Sequence, residues 1–119
     1  MIELVELTKY YGEAKAVGPL SLNIEAGEVV GLLGLNGAGK TTTLRMLASD
    51  LLPTCGSMTV DGVDLCSEPE KIRPMIGYLP DRPPLYNEMS VRECLTFAAR
   101  LRKMPKSKVA KRVEEVIEQ

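Results

Sequence analysis

The chain has 119 residues, 45% apolar and 26% charged, a globular composition that excludes disorder and fits one domain or a piece of a larger one. Its 15 basic and 16 acidic residues leave a net charge of −1, and no basic excess or stripe points to general nucleic-acid affinity. There is no histidine, which removes imidazole general bases, Ser-His-Asp triads and most zinc sites.

Ile2, Leu4 and Leu7, set among Glu3, Glu6 and Thr8, predict a half-buried strand. Lys9-Tyr-Tyr-Gly12 turns the chain. Val17 to Ile24 predicts a second strand, with Leu20, Leu22 and Ile24 alternating against Ser21 and Asn23. Glu25-Ala-Gly27 is a tight turn feeding Glu28–Leu33, a nearly continuous apolar run suited to a strand buried on both faces. Strands joined so closely are antiparallel, so the expected sheet is mixed.

Gly34 to Thr42 fits G-x-x-x-x-G-K-S/T, with Gly34, Gly39, Lys40 and Thr41 at the fixed positions. The glycines let consecutive backbone N–H groups turn inward on phosphate oxygens. The helix that follows, about Thr41 to Ser49, adds its unpaired N-terminal donors and the positive end of its dipole. Lys40 supplies an ammonium for the β/γ-phosphates, and Thr41 a hydroxyl for Mg²⁺. Leu44, Leu47 and Ala48 are the expected buried face of that helix.

Leu52-Pro-Thr54 ends it. Ser57–Val60 and Val63–Leu65 flank Asp61-Gly62, a strong hairpin signal. Ser67 is placed to cap a short helix that Pro74 stops. Met75–Leu79 reads as a short strand, and Pro80-Asp-Arg-Pro-Pro84 is too stiff for a sheet interior. Ser90-x-x-Glu93 is a capping box opening a helix from Val91 to about Lys103, with Leu95, Ala98, Ala99 and Arg102 on its expected buried face. Ser107 can cap a last helix with a stripe of Val109, Val113, Val116 and Ile117.

Cys55, Cys66 and Cys94 are far apart and make no C-x-x-C pair, so they are expected to be packing residues in a reducing cytosol. No apolar run approaches the ~18 residues that span a bilayer. Met1-Ile-Glu3 lacks the basic start of a signal peptide. A soluble chain, or one held at a membrane by a partner, is expected.

The loop alone names only nucleotide binding. A guanine reader would carry Asn-Lys-x-Asp or Thr-Lys-x-Asp, which this chain lacks. The chain resembles the ATP-binding subunit of ABC transporters, and several elements carry the resemblance. Asn36-Gly-Ala-Gly-Lys-Thr-Thr42 is similar to that family's form of the loop. Leu7-Thr-Lys-Tyr-Tyr-Gly12 is similar to its aromatic adenine platform, and Gly56–Gly62 to its hairpin after the loop helix. Ile76-Gly-Tyr-Leu-Pro80 looks like the strand entering its Q-loop, and Leu85–Glu93 like the entry to its helical subdomain. The Tyr-Leu-Pro-acid wording is similar to exporters of drugs, lipids or polysaccharides and to gliding-motility transporters.

The resemblance implies an α/β P-loop NTPase (RecA-like) core with an N-terminal antiparallel β subdomain. Residues 1–87 would hold the incomplete ATP-binding core and β part, and residues 88–119 the start of the helical subdomain. It implies ATP and Mg²⁺ as cofactors, with Tyr11 stacking on adenine. Gly34, Leu35, Asn36, Gly37, Ala38, Gly39, Lys40, Thr41 and Thr42 would bind phosphate, with Lys40 catalytic. Asp81 stands where the family usually has Gln, so it and Thr41 are the implied metal contacts. The implied partners are a transmembrane permease at a groove near Leu85, Tyr86 and Met89, and a second ATP-binding subunit arranged head to tail. The implied location is the cytoplasmic face of the cell membrane.

The family's Ser-Gly-Gly signature, its apolar run ending in Asp-Glu and its switch histidine do not occur in these residues. The chain is therefore expected to be roughly the N-terminal half of the domain. It would bind ATP as part of a transport ATPase and be inactive alone; the alternative is a nucleotide-binding module without turnover.

Overall fold

A computed structural model describes residues 1–119. The chain divides into two compact units, Met1–Tyr78 and Leu79–Gln119.

The first unit is built on a four-stranded antiparallel sheet. Strand β1 (Ile2–Tyr11) lies between β2 (Ala14–Ile24) and β3 (Cys55–Val60), and β4 (Val63–Asp64) closes the far edge. Leu4 and Leu7 are both fully buried although three residues apart, which strict alternation forbids. The reason is a bulge at Glu6, whose φ of +49° lets one extra residue pass without a partner. Gly56 sits against it, and a Cβ there would come 2.4 Å from the Glu6 carbonyl oxygen.

Helix α1 (Lys40–Leu47) packs Thr43 and Met46 inward. With Leu4, Leu7, Met58, Val60, Leu65 and Ile72 they fill the space under the sheet. The apolar spacing Leu44–Leu47–Ala48 is thus offset from the face that is buried, and Leu44 is 45% exposed. Arg45 closes the helix end by donating to Asp50 Oδ2 at 2.7 Å, and that carboxylate raises the guanidinium pKa.

Asp61-Gly62 makes the expected hairpin, with Asp61 also bonded to the N-terminal ammonium at 2.5 Å. Ser67 does not cap the next helix, α2 (Pro69–Ile72). Its hydroxyl and amide, and the Cys66 amide, all donate to Asp64 Oδ1 instead, so Glu68 becomes the capping position.

Two expected strands are absent. Glu28–Leu33 forms no ladder, and Val29 and Leu33 are 97% and 93% exposed. No strand of the sheet pairs with this run, and an apolar strand becomes a core strand only with neighbours at its edges and layers on its faces. The sheet is accordingly antiparallel throughout, not mixed. Arg73–Met75 is a 3₁₀ turn, and Ile76–Leu79 continues without strand pairing for the same reason. The cysteines are free thiols; Cys55 and Cys66 are exposed at a strand start and a turn, so they are not packing residues.

The second unit is a helical pair. Helix α3 (Val91–Leu101) opens on the full capping box, in which Ser90 accepts from the Glu93 amide and the Glu93 carboxylate accepts from the Ser90 amide at 2.8 Å. Helix α4 (Lys106–Ile117) follows Pro105, which takes the capping position expected of Ser107. Val109 and Val113 are its buried residues, while Val116 and Ile117 remain partly open to solvent. On α3, Leu95 and Ala99 turn inward, whereas Ala98 and Arg102 are exposed because a single helix packs against this one.

Candidate phosphate-binding site

The glycine-rich segment folds as a loop that bends twice through left-handed backbone, at Gly37 and Gly39 (φ +83° and +84°). Leu35 accepts from the Ala38 amide at 3.2 Å and closes the turn. Gly39 caps α1 without any side-chain acceptor, and no acidic residue occupies the first helical turn. The first amide to find a backbone acceptor is that of Thr43, which donates to the Gly39 carbonyl at 2.8 Å. The amides of Lys40, Thr41 and Thr42 are therefore left for an external anion, and the helix dipole favours one there.

Two contacts fix the loop. The buried Thr43 hydroxyl donates to the same Gly39 oxygen at 3.0 Å. Gly39 also lies hard against β2: a Cβ at this position would come 2.3 Å from the Ala16 carbonyl oxygen and 2.7 Å from Val17 Cγ2. That approach is possible because the β1–β2 register steps from Tyr10↔Lys15 to Lys9↔Val17, leaving Ala16 bulged.

The Lys40 ammonium folds over the loop and donates to the carbonyls of Gly34 and Leu35 at 2.6 and 2.7 Å. Asn36, Gly37, Gly39, Lys40, Thr41 and Thr42 line an open depression of about 300 Å³, and Ala16 forms its remaining wall. Six expected residues are thus gathered around one concavity, which Leu35 and Ala38 shape from the turn behind. Ala16 and Thr43 are parts that sequence reasoning missed. Thr43 was legible as the next hydroxyl one residue on; Ala16 carries no signal beyond its small size.

Tyr11 ends β1 beside the two-residue turn Gly12-Glu13, half-exposed and opposite Ala14. The Lys9 ammonium lies 5.7 Å from its ring centroid and donates to the Leu52 carbonyl at 2.8 Å. The ring is half-exposed, with the Lys9 cation over one of its faces.

No group of three or more His, Cys, Asp or Glu side chains gathers as a metal cage. Thr41 is exposed at the depression, which suits a Mg²⁺ carried in on phosphate oxygens with most of its waters. Asp81 belongs to the second unit and is exposed. So do Leu85, Tyr86 and Met89, at 68%, 52% and 36% exposure. Tyr86 meets Phe97 edge to face at 5.6 Å, and Met89 and Phe97 border an open depression of about 410 Å³ with Arg92, Glu93, Thr96 and Arg100. No helix is long and apolar enough to cross a membrane.

The profile of the family described as "ABC transporter" matches residues 17–119. The chain is 41% identical to the ABC transporter ATP-binding protein NatA of Bacillus subtilis, over 98% of its own length and 49% of that protein. It is 39% identical to the putrescine transport ATP-binding protein PotG of Escherichia coli, over 98% of its length and 31% of that protein. The chain thus spans half or less of these curated relatives. A dimeric ATP-binding cassette solved in a post-hydrolysis state with ADP and Pi superposes with a TM-score of 0.84 at 27% identity, covering 99% of this chain and 56% of that one. The P-loop fold is shared, the profile covers most of the residues, and the chain belongs to the ABC transporter family.

Proposed function

We propose that this chain binds ATP with Mg²⁺ and serves an ATPase that drives transport through a membrane partner. One observation carries the reading: unpaired amides at the start of α1, a lysine and a hydroxyl share a single concavity. Lys40 exchanges its two carbonyl acceptors for the β/γ-phosphate oxygens, and the amides of residues 40–42 hold the same phosphates. Tyr11 stacks on the adenine. Thr41 would hold Mg²⁺, which would supply positive charge against the phosphates. Asp81 supplies a further carboxylate toward that metal or its waters. In the parent protein two such subunits close head to tail, and Leu85, Tyr86 and Met89 receive a permease helix at the inner face of the membrane.

The curated relatives named as ATP-binding transport proteins support this reading, as does the ADP and Pi in the solved cassette. A second reading, a module that binds without turnover, is favoured for these 119 residues alone by the missing Ser-Gly-Gly signature and Asp-Glu pair. Titration with a fluorescent ATP analogue and Mg²⁺ tests both. Saturable binding lost in Lys40→Ala, with no hydrolysis above background, is the expected result. Binding that survives Lys40→Ala would overturn the site, and turnover by the chain alone would overturn its expected inactivity.

A further inference from the structure

We propose that the turn joining α3 to α4 docks on an anionic phospholipid surface. Between Arg100 and Arg112 every charged residue is basic, in a chain whose net charge is −1. Arg100, Arg102, Lys103, Lys106 and Lys108 are all exposed. Beyond them Lys111 lies 4.0 Å and Arg112 3.1 Å from the Glu115 carboxylate, which offsets part of their charge. The positive potential is therefore concentrated at residues 100–108.

Within that stretch Arg100 and Lys106 line one open depression of about 240 Å³ with Thr96, Val109 and Ala110. Two cations and a hydroxyl over an apolar floor match a phosphate headgroup with the start of its acyl chains below. Leu101 is 67% exposed among the cations. An exposed apolar side chain between Arg100 and Arg102 in the sequence suits the boundary between headgroups and acyl chains. Nucleic acid fits less well, because residues 98–112 offer no aromatic, Asn or Gln side chain to stack on or read a base. An acidic peptide would satisfy the charges and leave Leu101 in water.

No nucleotide contact enters this inference, so it stands or falls apart from ATP binding. Each basic residue near an anionic surface changes partitioning about fivefold, and salt screens the effect. The test is co-sedimentation of the whole chain with vesicles of phosphatidylcholine alone or with about 30% phosphatidylglycerol. We expect binding to the anionic vesicles only, reversed by high salt. Combining Arg100→Gln, Lys103→Gln, Lys106→Gln and Lys108→Gln should weaken it by about a hundredfold or more. Leu101→Ser should weaken it with no change in charge, whereas Lys15→Gln with Lys71→Gln should leave it intact. If the fourfold variant misfolds by circular dichroism, Lys103→Glu with Lys108→Glu replaces it. Equal binding to neutral vesicles, indifference to the basic substitutions, or displacement from vesicles by a homopolymeric RNA would each overturn the proposal.

Discussion

Gly39 and Gly37 share nearly the same φ but not the same surroundings, and that difference sets their tolerance. At Gly37 an added Cβ meets nothing within 4 Å, so Gly37→Ala carries only the left-handed backbone penalty, about 1–2 kcal/mol. At Gly39 the same Cβ would strike the Ala16 carbonyl oxygen at 2.3 Å and force the loop off β2. Gly39→Ala should therefore abolish binding of a fluorescent ATP analogue, while Gly37→Ala keeps measurable affinity. Similar loss in both variants would show that the seat on Ala16 does not matter. Ser49 is a residue whose replacement should help. It follows α1 with φ +58°, and its buried hydroxyl has no hydrogen-bond partner. Ser49→Gly relieves both the backbone and the orphan oxygen, and should raise stability by about 1 kcal/mol in urea unfolding.

Among the elements, α3 has the best-defined start. Ser90 holds the Glu93 carboxyl below its ordinary value through side-chain and backbone hydrogen bonds. Ser67 does the same for Asp64 at the end of β4. A carboxyl depressed in the folded state contributes stability that is fully present above its unfolded pKa, about 4 for these groups, and lost as pH falls through the folded value. Urea midpoints should therefore drop on acidification below about pH 4, and Ser90→Ala should flatten that drop and lower the midpoint at neutral pH. The capping box and the Asp61-Gly62 hairpin were legible in the sequence because each is settled by residues within four positions. Leu4 and Leu7 were legible as core residues, although their spacing of three already implied the bulge at Glu6. The helical termini were less legible. Ser67 had a competing acceptor in Asp64, and Pro105 preceded Ser107 as a stop with its own fixed φ. Asn36, Gly37, Gly39, Lys40, Thr41 and Thr42 lie around one depression because their spacing is itself the geometry. Ala16 was not legible, because what seats Gly39 is a backbone carbonyl, which any residue type would supply. The expectation that no basic stripe exists fails at Arg100–Arg112, where every charged residue is basic; the balanced total charge masked it.

For the whole molecule, the failed expectation at Glu28–Leu33 has the widest effect. A core strand is defined by what lies beside it, and no property of Val29 or Leu33 could reveal that these neighbours are absent here. Exposed apolar backbone with open hydrogen-bonding groups is a template for association. Sedimentation velocity should accordingly show self-association that rises with concentration, and Val29→Lys with Leu33→Lys should return the chain toward monomer. A concentration-independent monomer with a sharp thermal transition would contradict this. The same stretch leads directly into Gly34. No ladder bond holds the run just upstream of the loop, so any of its residues newly fixed around a nucleotide would cost about 1–2 kcal/mol of backbone entropy. The phosphate contacts can be fully formed and the apparent affinity still low, because much of it is spent on stilling the chain just upstream.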